Sequence, residues 1–194
     1  YPLGESNTLQ RVIWDGHQFL AAGDYGLMVS PDGRSWTSRS VDSSGVYLTD
    51  ILFAGGKYLA VGDASIYSSN NGEIWSRVFN RDGWDLHSVA WNGSVFVAVG
   101  DSLHLGSCVE DSAKVTWCDV SRKVARSIDG LKWDEVPMTG GALTKIVSKD
   151  GVFVAFDNSS STMYLLSSDG ISWDSFAADY KTSDAIVTDA GLFA

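Results

Sequence analysis

The chain has 194 residues, a formal net charge of −10, 44% hydrophobic and 20% charged residues. That balance excludes a disordered chain and predicts one globular domain with a sizeable core. The acidity disfavours nucleic acid and anionic membrane surfaces, and no apolar run reaches the roughly 18 residues of a membrane helix, so neither nucleic acid nor membrane insertion is expected.

In chain order, the first predicted element is a short strand around "VIW" from Val12, followed by a turn at Gly16 and an apolar strand, "FLAAG". A third strand, "LMVS", leads into "SPDGRSW", and a fourth starts near Trp36. The same order returns from Ile51 ("ILFAGGKYLAVGDASIYSSNNGEIW"), from Val89 ("VAWNGSVFVAVGD") and from Ile146 ("IVSKDGVFVAFDN"), and begins again at Ile186. Short apolar runs bounded by turn residues suit strands covered on both faces. Four-stranded units at a period of about 40 predict blades that bury their faces on one another. The expected fold is therefore all-β: a β-propeller of four-stranded blades, about four and a half of them, forming part of a larger propeller. The expected blades span about 8–41, 47–80, 86–137, 143–178 and a partial 184–194, in a single domain over 1–194. The remaining blades are expected from a longer chain or a second chain.

The stretches "SPDGRSW", "SIDGLKW" and "SSDGISW" resemble the Asp-box of sialidase-like, or BNR-repeat, propellers, and "SNNGEIW" is a weakened copy. The resemblance implies that Asp32, Asn71, Asp129 and Asp169 hold a turn between the third and fourth strands. It implies that Trp36, Trp75, Trp133 and Trp173 pack structurally between blades. It does not imply an activity, because such propellers include enzymes, receptors and plain binding modules. The family's Phe/Tyr-Arg-Ile-Pro motif is absent here, and no G-x-S-x-G elbow occurs. Trp14 and Trp91 match Phe53 on first strands and are expected in the core. A second repeated acid, Asp24, Asp63 and Asp101, with Asn158 in the fourth copy, ends each second strand and reads as a turn residue, the alternative being a ring around the axis that holds a cation, which the Asn weakens.

Function is sought where the copies differ. In the third copy an insertion, 102–123, separates the second strand from the third. By propeller geometry it lies on the face opposite the Asp-box turns. Cys108 and Cys118 fall within it, ten positions apart. A disulfide is the preferred reading, worth roughly 2–3 kcal/mol by the chain-entropy estimate, and two free thiols are the alternative. The spacing fits no usual zinc pattern. A disulfide implies export to an extracellular or periplasmic compartment. Trp84 and Trp117 have no repeat counterpart. With Arg81, Asp85, His87, His104 and Tyr25 they form the candidate ligand-binding set, since aromatics beside carboxylates and arginine suit a sugar or a peptide. The expected function is a non-catalytic, exported binding or scaffold module for a carbohydrate or protein partner, with no cofactor and no metal. The alternative is a fragment of an Asp-box glycoside hydrolase whose carboxylates converge on the same face.

Overall fold

The computed structural model describes residues 8–24, 26–42, 45–110, 116–157, 163–177, 186–188 and 191–193, and the side chains among these except those of 103–110, 116–119 and the last two segments. All regular structure is β, in four four-stranded antiparallel sheets and a two-stranded one. The first sheet holds β1 (Leu9–Trp14), β2 (Phe19–Gly23), β3 (Gly26–Ser30) and β4 (Thr37–Arg39). The second holds β5 (Leu48–Ala54), β6 (Lys57–Gly62), β7 (Ser65–Ser69) and β8 (Ser76–Asn80). The third holds β9 (Trp84–Trp91), β10 (Phe96–Glu110), β11 (Thr116–Ser127) and β12 (Asp134–Glu135). The fourth holds β13 (Leu143–Lys149), β14 (Val152–Asp157), β15 (Met163–Ser167) and β16 (Asp174–Ala177), and β17 (Ile186–Thr188) pairs β18 (Gly191–Phe193). Each four-stranded sheet is a simple meander, with spatial order equal to chain order.

The second strands show how the sheets stack. Side chains alternate across a strand, so one apolar run serves two seams. In β6, Tyr58 and Ala60 join the core shared with the first sheet, whereas Leu59 and Val61 join the core shared with the third. In β10, Phe96 and Ala98 look back and Val97 and Val99 look forward. In β14, Phe153 and Ala155 look back, while Val154 and Phe156 carry the pattern to the far face. Three seams thus account for three apolar cores, with Leu20, Leu48, Leu59, Leu86, Leu143 and Phe153 fully buried. The first strands add polar links across the same seams. Buried Asp50 accepts a hydrogen bond from the Ser88 hydroxyl (2.7 Å) and another from the Val89 amide (3.2 Å), and lies 3.5 Å from Arg11 Nε. One carboxylate therefore joins three blades.

The four repeated turns are built alike. Asp32 Oδ1 accepts the amides of Arg34 and Ser35 at 2.8 and 2.9 Å, and the Ser30 hydroxyl accepts the Gly33 amide at 2.8 Å. Asn71 Oδ1 makes the same two bonds at 3.0 Å to Glu73 and Ile74. Asp129 and Asp169 repeat the scheme. The following glycines, Gly33, Gly72, Gly130 and Gly170, all have φ between 70° and 73°, the left-handed region where a Cβ is strained. Trp75, Trp133 and Trp173 pack against the seams. Trp36 and Trp75 donate their indole N–H to Gly33 and Gly72, whereas those of Trp133 and Trp173 are buried without a partner.

Not every first-strand aromatic is core. Trp91 is half-buried in a seam as expected, but Trp14 is 52% exposed and Phe53 39% exposed. Both sit at the ends of their strands and stack on the next strand instead, Trp14 on Phe19 (4.6 Å between centroids) and Phe53 on Tyr58 (4.3 Å).

Candidate functional site

The third sheet breaks the repeat. β10 has 15 residues and β11 has 12, against 5 each in β2 and β3. β9 pairs with β10 only as far as Trp84 opposite Ser102, and β12 covers only Ala125 and Arg126 of β11. The insertion is therefore largely strand. It continues the two middle strands as a ribbon that pairs with itself: Ser102 with Ser121, Leu103 with Val120 and His104 with Asp119, then, after a register shift, Val109 with Trp117 and Glu110 with Thr116. The side chains of His104, Cys108, Trp117 and Cys118 lie outside the described residues, as does Tyr25 altogether.

At the foot of this ribbon, on the same face, lies a cluster of ionisable groups. Asp85, near the start of β9, and Asp101, within β10, are cross-strand partners. His87 Nε2 is 2.7 Å from Asp101 Oδ2. Burial pulls the His87 pKa down, but the Asp101 hydrogen bond and the charges of Asp85 and Asp101 outweigh it and hold the imidazole above its usual 6.5. Burial pushes the Asp85 carboxyl up, and the charges of Asp101 and Asp63 add to this against the opposing effect of His87. Asp85 Oδ1 is buried without a hydrogen-bond partner. The Tyr47 phenol is raised by burial first, then by Asp24, Asp85 and Asp63. Asp85, His87 and Asp101 thus make an anionic mouth at the foot of the ribbon, with Asp24 and Asp63 near enough to act on the Tyr47 phenol. Among the described residues, no group of three or more His, Cys, Asp or Glu is arranged to hold a metal.

Of the seven candidate residues, Asp85 and His87 come together beside Asp101. Arg81 is exposed on the turn entering β9, with its guanidinium 5.5 Å from the centre of the Phe79 ring. Trp84 opens β9 and is only 9% exposed. It packs on Phe79 at 5.4 Å, with the Lys123 ammonium 5.5 Å from its ring centre. The indole is a wall of the seam between the second and third blades and supports the mouth from beneath. Sequence reasoning left Tyr47 and Lys123 out of the site. Lys123 has no signature beyond its place in the insertion, and Tyr47 precedes a buried leucine as Asp85 does, a periodicity that offered the one available signal.

No family model matches the chain, and no curated protein matches it. Solved structures do. YCF48 from Cyanidioschyzon merolae is 15% identical with a TM-score of 0.61, the match covering 92% of this chain and 59% of that one. The extracellular domain of the putative hybrid two-component system BT4673 from B. thetaiotaomicron is 11% identical with a TM-score of 0.61, covering 96% of this chain and 24% of that one. Porphyromonas gingivalis dipeptidyl peptidase 4 is 9% identical with a TM-score of 0.51, covering 94% and 33%. The chain spans at most about three-fifths of the length of these neighbours. Together with the meandering sheets and their shared seams, this likeness shows the fold: the chain is an all-β propeller of four-stranded blades.

Proposed function

We propose that the protein is a non-catalytic binding or scaffold module that takes a carbohydrate or protein partner on the face carrying the 102–123 ribbon. One observation carries this reading: β10 and β11 overrun β9 and β12, so a partner-sized element is added to a frame that is otherwise repeated. Rigid scaffolds that carry one irregular element usually place recognition there. The anionic mouth of Asp85, His87 and Asp101 adds hydrogen-bonding groups that suit sugar hydroxyls or basic side chains of a protein, and Trp117, His104, Arg81 and Tyr25 complete the proposed contact set. Kinship with Asp-box propellers rests on the four Ser-x-(Asp/Asn)-Gly-x-x-Trp turns. Export rests on the cysteines. Cys108 and Cys118 lie on the two arms of the ribbon, Cys108 within the register shift between His104 and Val109, and a disulfide between them would tie the arms together. One neighbour, BT4673, is an extracellular domain, which accords with this.

The test is a glycan array and a screen for protein partners, run on the chain and on Trp117→Ala and Arg81→Ala. Binding should fall in both variants at unchanged unfolding midpoint. A chromogenic glycoside panel serves as the counter-test. Turnover that disappears in Asp85→Asn would replace this reading by a glycoside hydrolase, and silence in every binding screen would remove its support.

A further inference from the structure

The seam between the third and fourth blades contains a groove of about 600 Å³, a volume within the range of ligand pockets. Its origin can be read residue by residue. Leu86 and Leu143 are equivalent: both are fully buried, and each pairs with the last residue of the blade's regular second strand, Gly100 and Asp157. Two positions before Leu86 stands Trp84, which with Phe79 fills the seam between the second and third blades. Two positions before Leu143 stands Gly141. No aromatic side chain stands at that position, and Pro137, Met138 and Thr139 of the link line the groove.

The lining sorts into a floor and a rim. Leu165, Met138 and Trp173 form an apolar floor that also belongs to the seam's core. Thr139, Ser175 and Glu135 are exposed and line the groove. Among the described residues, none of these three side chains makes a hydrogen bond or ion pair, although Glu135 and Ser175 pair through their backbones within their sheets. The cation in the wall, Arg122, is already committed. It is 7% exposed, pairs with Asp157 and donates from Nε to the Gly141 carbonyl at 3.1 Å. Its charge is therefore neutralised; Lys123 also lines the groove, but its ammonium is turned to the other seam, 5.5 Å from the Trp84 ring centre, so Glu135 is the charge left at the opening. The long-range field has the same sign, since the chain carries −10 overall.

We propose that this groove receives an extended segment of a protein partner, with one apolar side chain seated on Leu165, Met138 and Trp173 and an adjacent lysine or arginine facing Glu135. The Thr139 and Ser175 hydroxyls stand where backbone groups of such a segment would pass. This site lies in a different seam from the ribbon's mouth and is independent of the function proposed for that face.

The probe is an immobilised array of decapeptides, each with a single Leu, Ile or Phe beside a single Lys, Arg, Asp or Glu in a neutral background. The 194-residue chain should retain peptides with the basic neighbour and not those with the acidic one. Thr139→Trp, which fills the groove from its exposed rim, should lower retention on the order of tenfold or more, and Glu135→Lys should reverse the charge preference, both at an unfolding midpoint within a few degrees of the parent. If Thr139→Trp does not fold, Ser175→Trp blocks the groove from the fourth blade. The proposal is overturned if no peptide is retained, if acidic neighbours bind as well as basic ones, or if retention ignores the blocking substitution.

Discussion

Asp32 is a scaffold residue, and its surroundings say why. Its one carboxylate oxygen accepts two successive amides and a serine hydroxyl, and those bonds hold its pKa below the usual 3.8, with the Ser35 and Arg34 amides contributing most. Asn71 satisfies the same two amides with a neutral oxygen. The turn therefore tolerates a neutral acceptor at this position, although the charged one is the stronger. Asp32→Asn should lower the unfolding midpoint at pH 7 less than Asp32→Ala does, with any partner binding intact. Sign follows from linkage: a carboxyl whose folded pKa is depressed contributes stability that is present above the unfolded 3.8 and lost as pH falls through the folded value. Thermal melts between pH 2 and 7 should thus show a shallower acid decline for Asp32→Asn than for the parent. An equal decline in both would place the acid sensitivity elsewhere.

At the scale of the element, β9 shows how one residue can be moved from site to core. The turn chemistry of "NRDGW" reads as link, and Gly83 does take a positive φ of 79°. The strand begins immediately after it, because Trp84 pairs with Ser102 and its indole closes a seam. Truncating a buried tryptophan removes transfer energy and leaves a cavity that the neighbours fill poorly. Trp84→Ala should therefore cost about 3–5 kcal/mol of stability in urea denaturation, an effect that a surface platform residue would not show. A loss of ligand binding without loss of stability would return Trp84 to the contact surface.

On the scale of the whole molecule, the seams decide stability, and the third is chemically distinct. In three blades a glycine of the second strand, Gly23, Gly62 or Gly100, faces the entry to the first strand, where an added Cβ would lie 1.9–2.2 Å from the carbonyl oxygen of Thr8, Tyr47 or Asp85. The fourth blade has Asp157 there, tied to Arg122 of the third blade, with both side chains under a tenth exposed. Breaking a buried pair strands a charge, whereas replacing both members by neutral groups is often tolerated. Arg122→Met should cost about 3–5 kcal/mol, and adding Asp157→Gly, which restores the residue of the other blades, should recover most of it. Additive losses in this double-mutant cycle would mean that the two groups act independently.

Composition, the repeated Ser-x-(Asp/Asn)-Gly-x-x-Trp turns and the alternating apolar runs determined, without coordinates, that this chain is all-β and bladed, because strand period and turn chemistry are local properties. They also marked the insertion as the departure from the repeat, and brought Asp85 and His87 forward as members of its face. Local pattern does not carry the depth at which a side chain ends. Trp14 and Trp84 look alike as tryptophans near turns, yet one stacks at the surface and the other closes a seam. That difference rests on which strand each residue pairs with and what lies across the next blade. The same holds for the Arg122–Asp157 pair, whose members are 35 residues apart, and for the groove between Met138 of the link and Trp173 of the fourth blade. Burial, ion pairing across seams and cavity shape arise only when separate blades meet, and for these the tertiary structure alone decided.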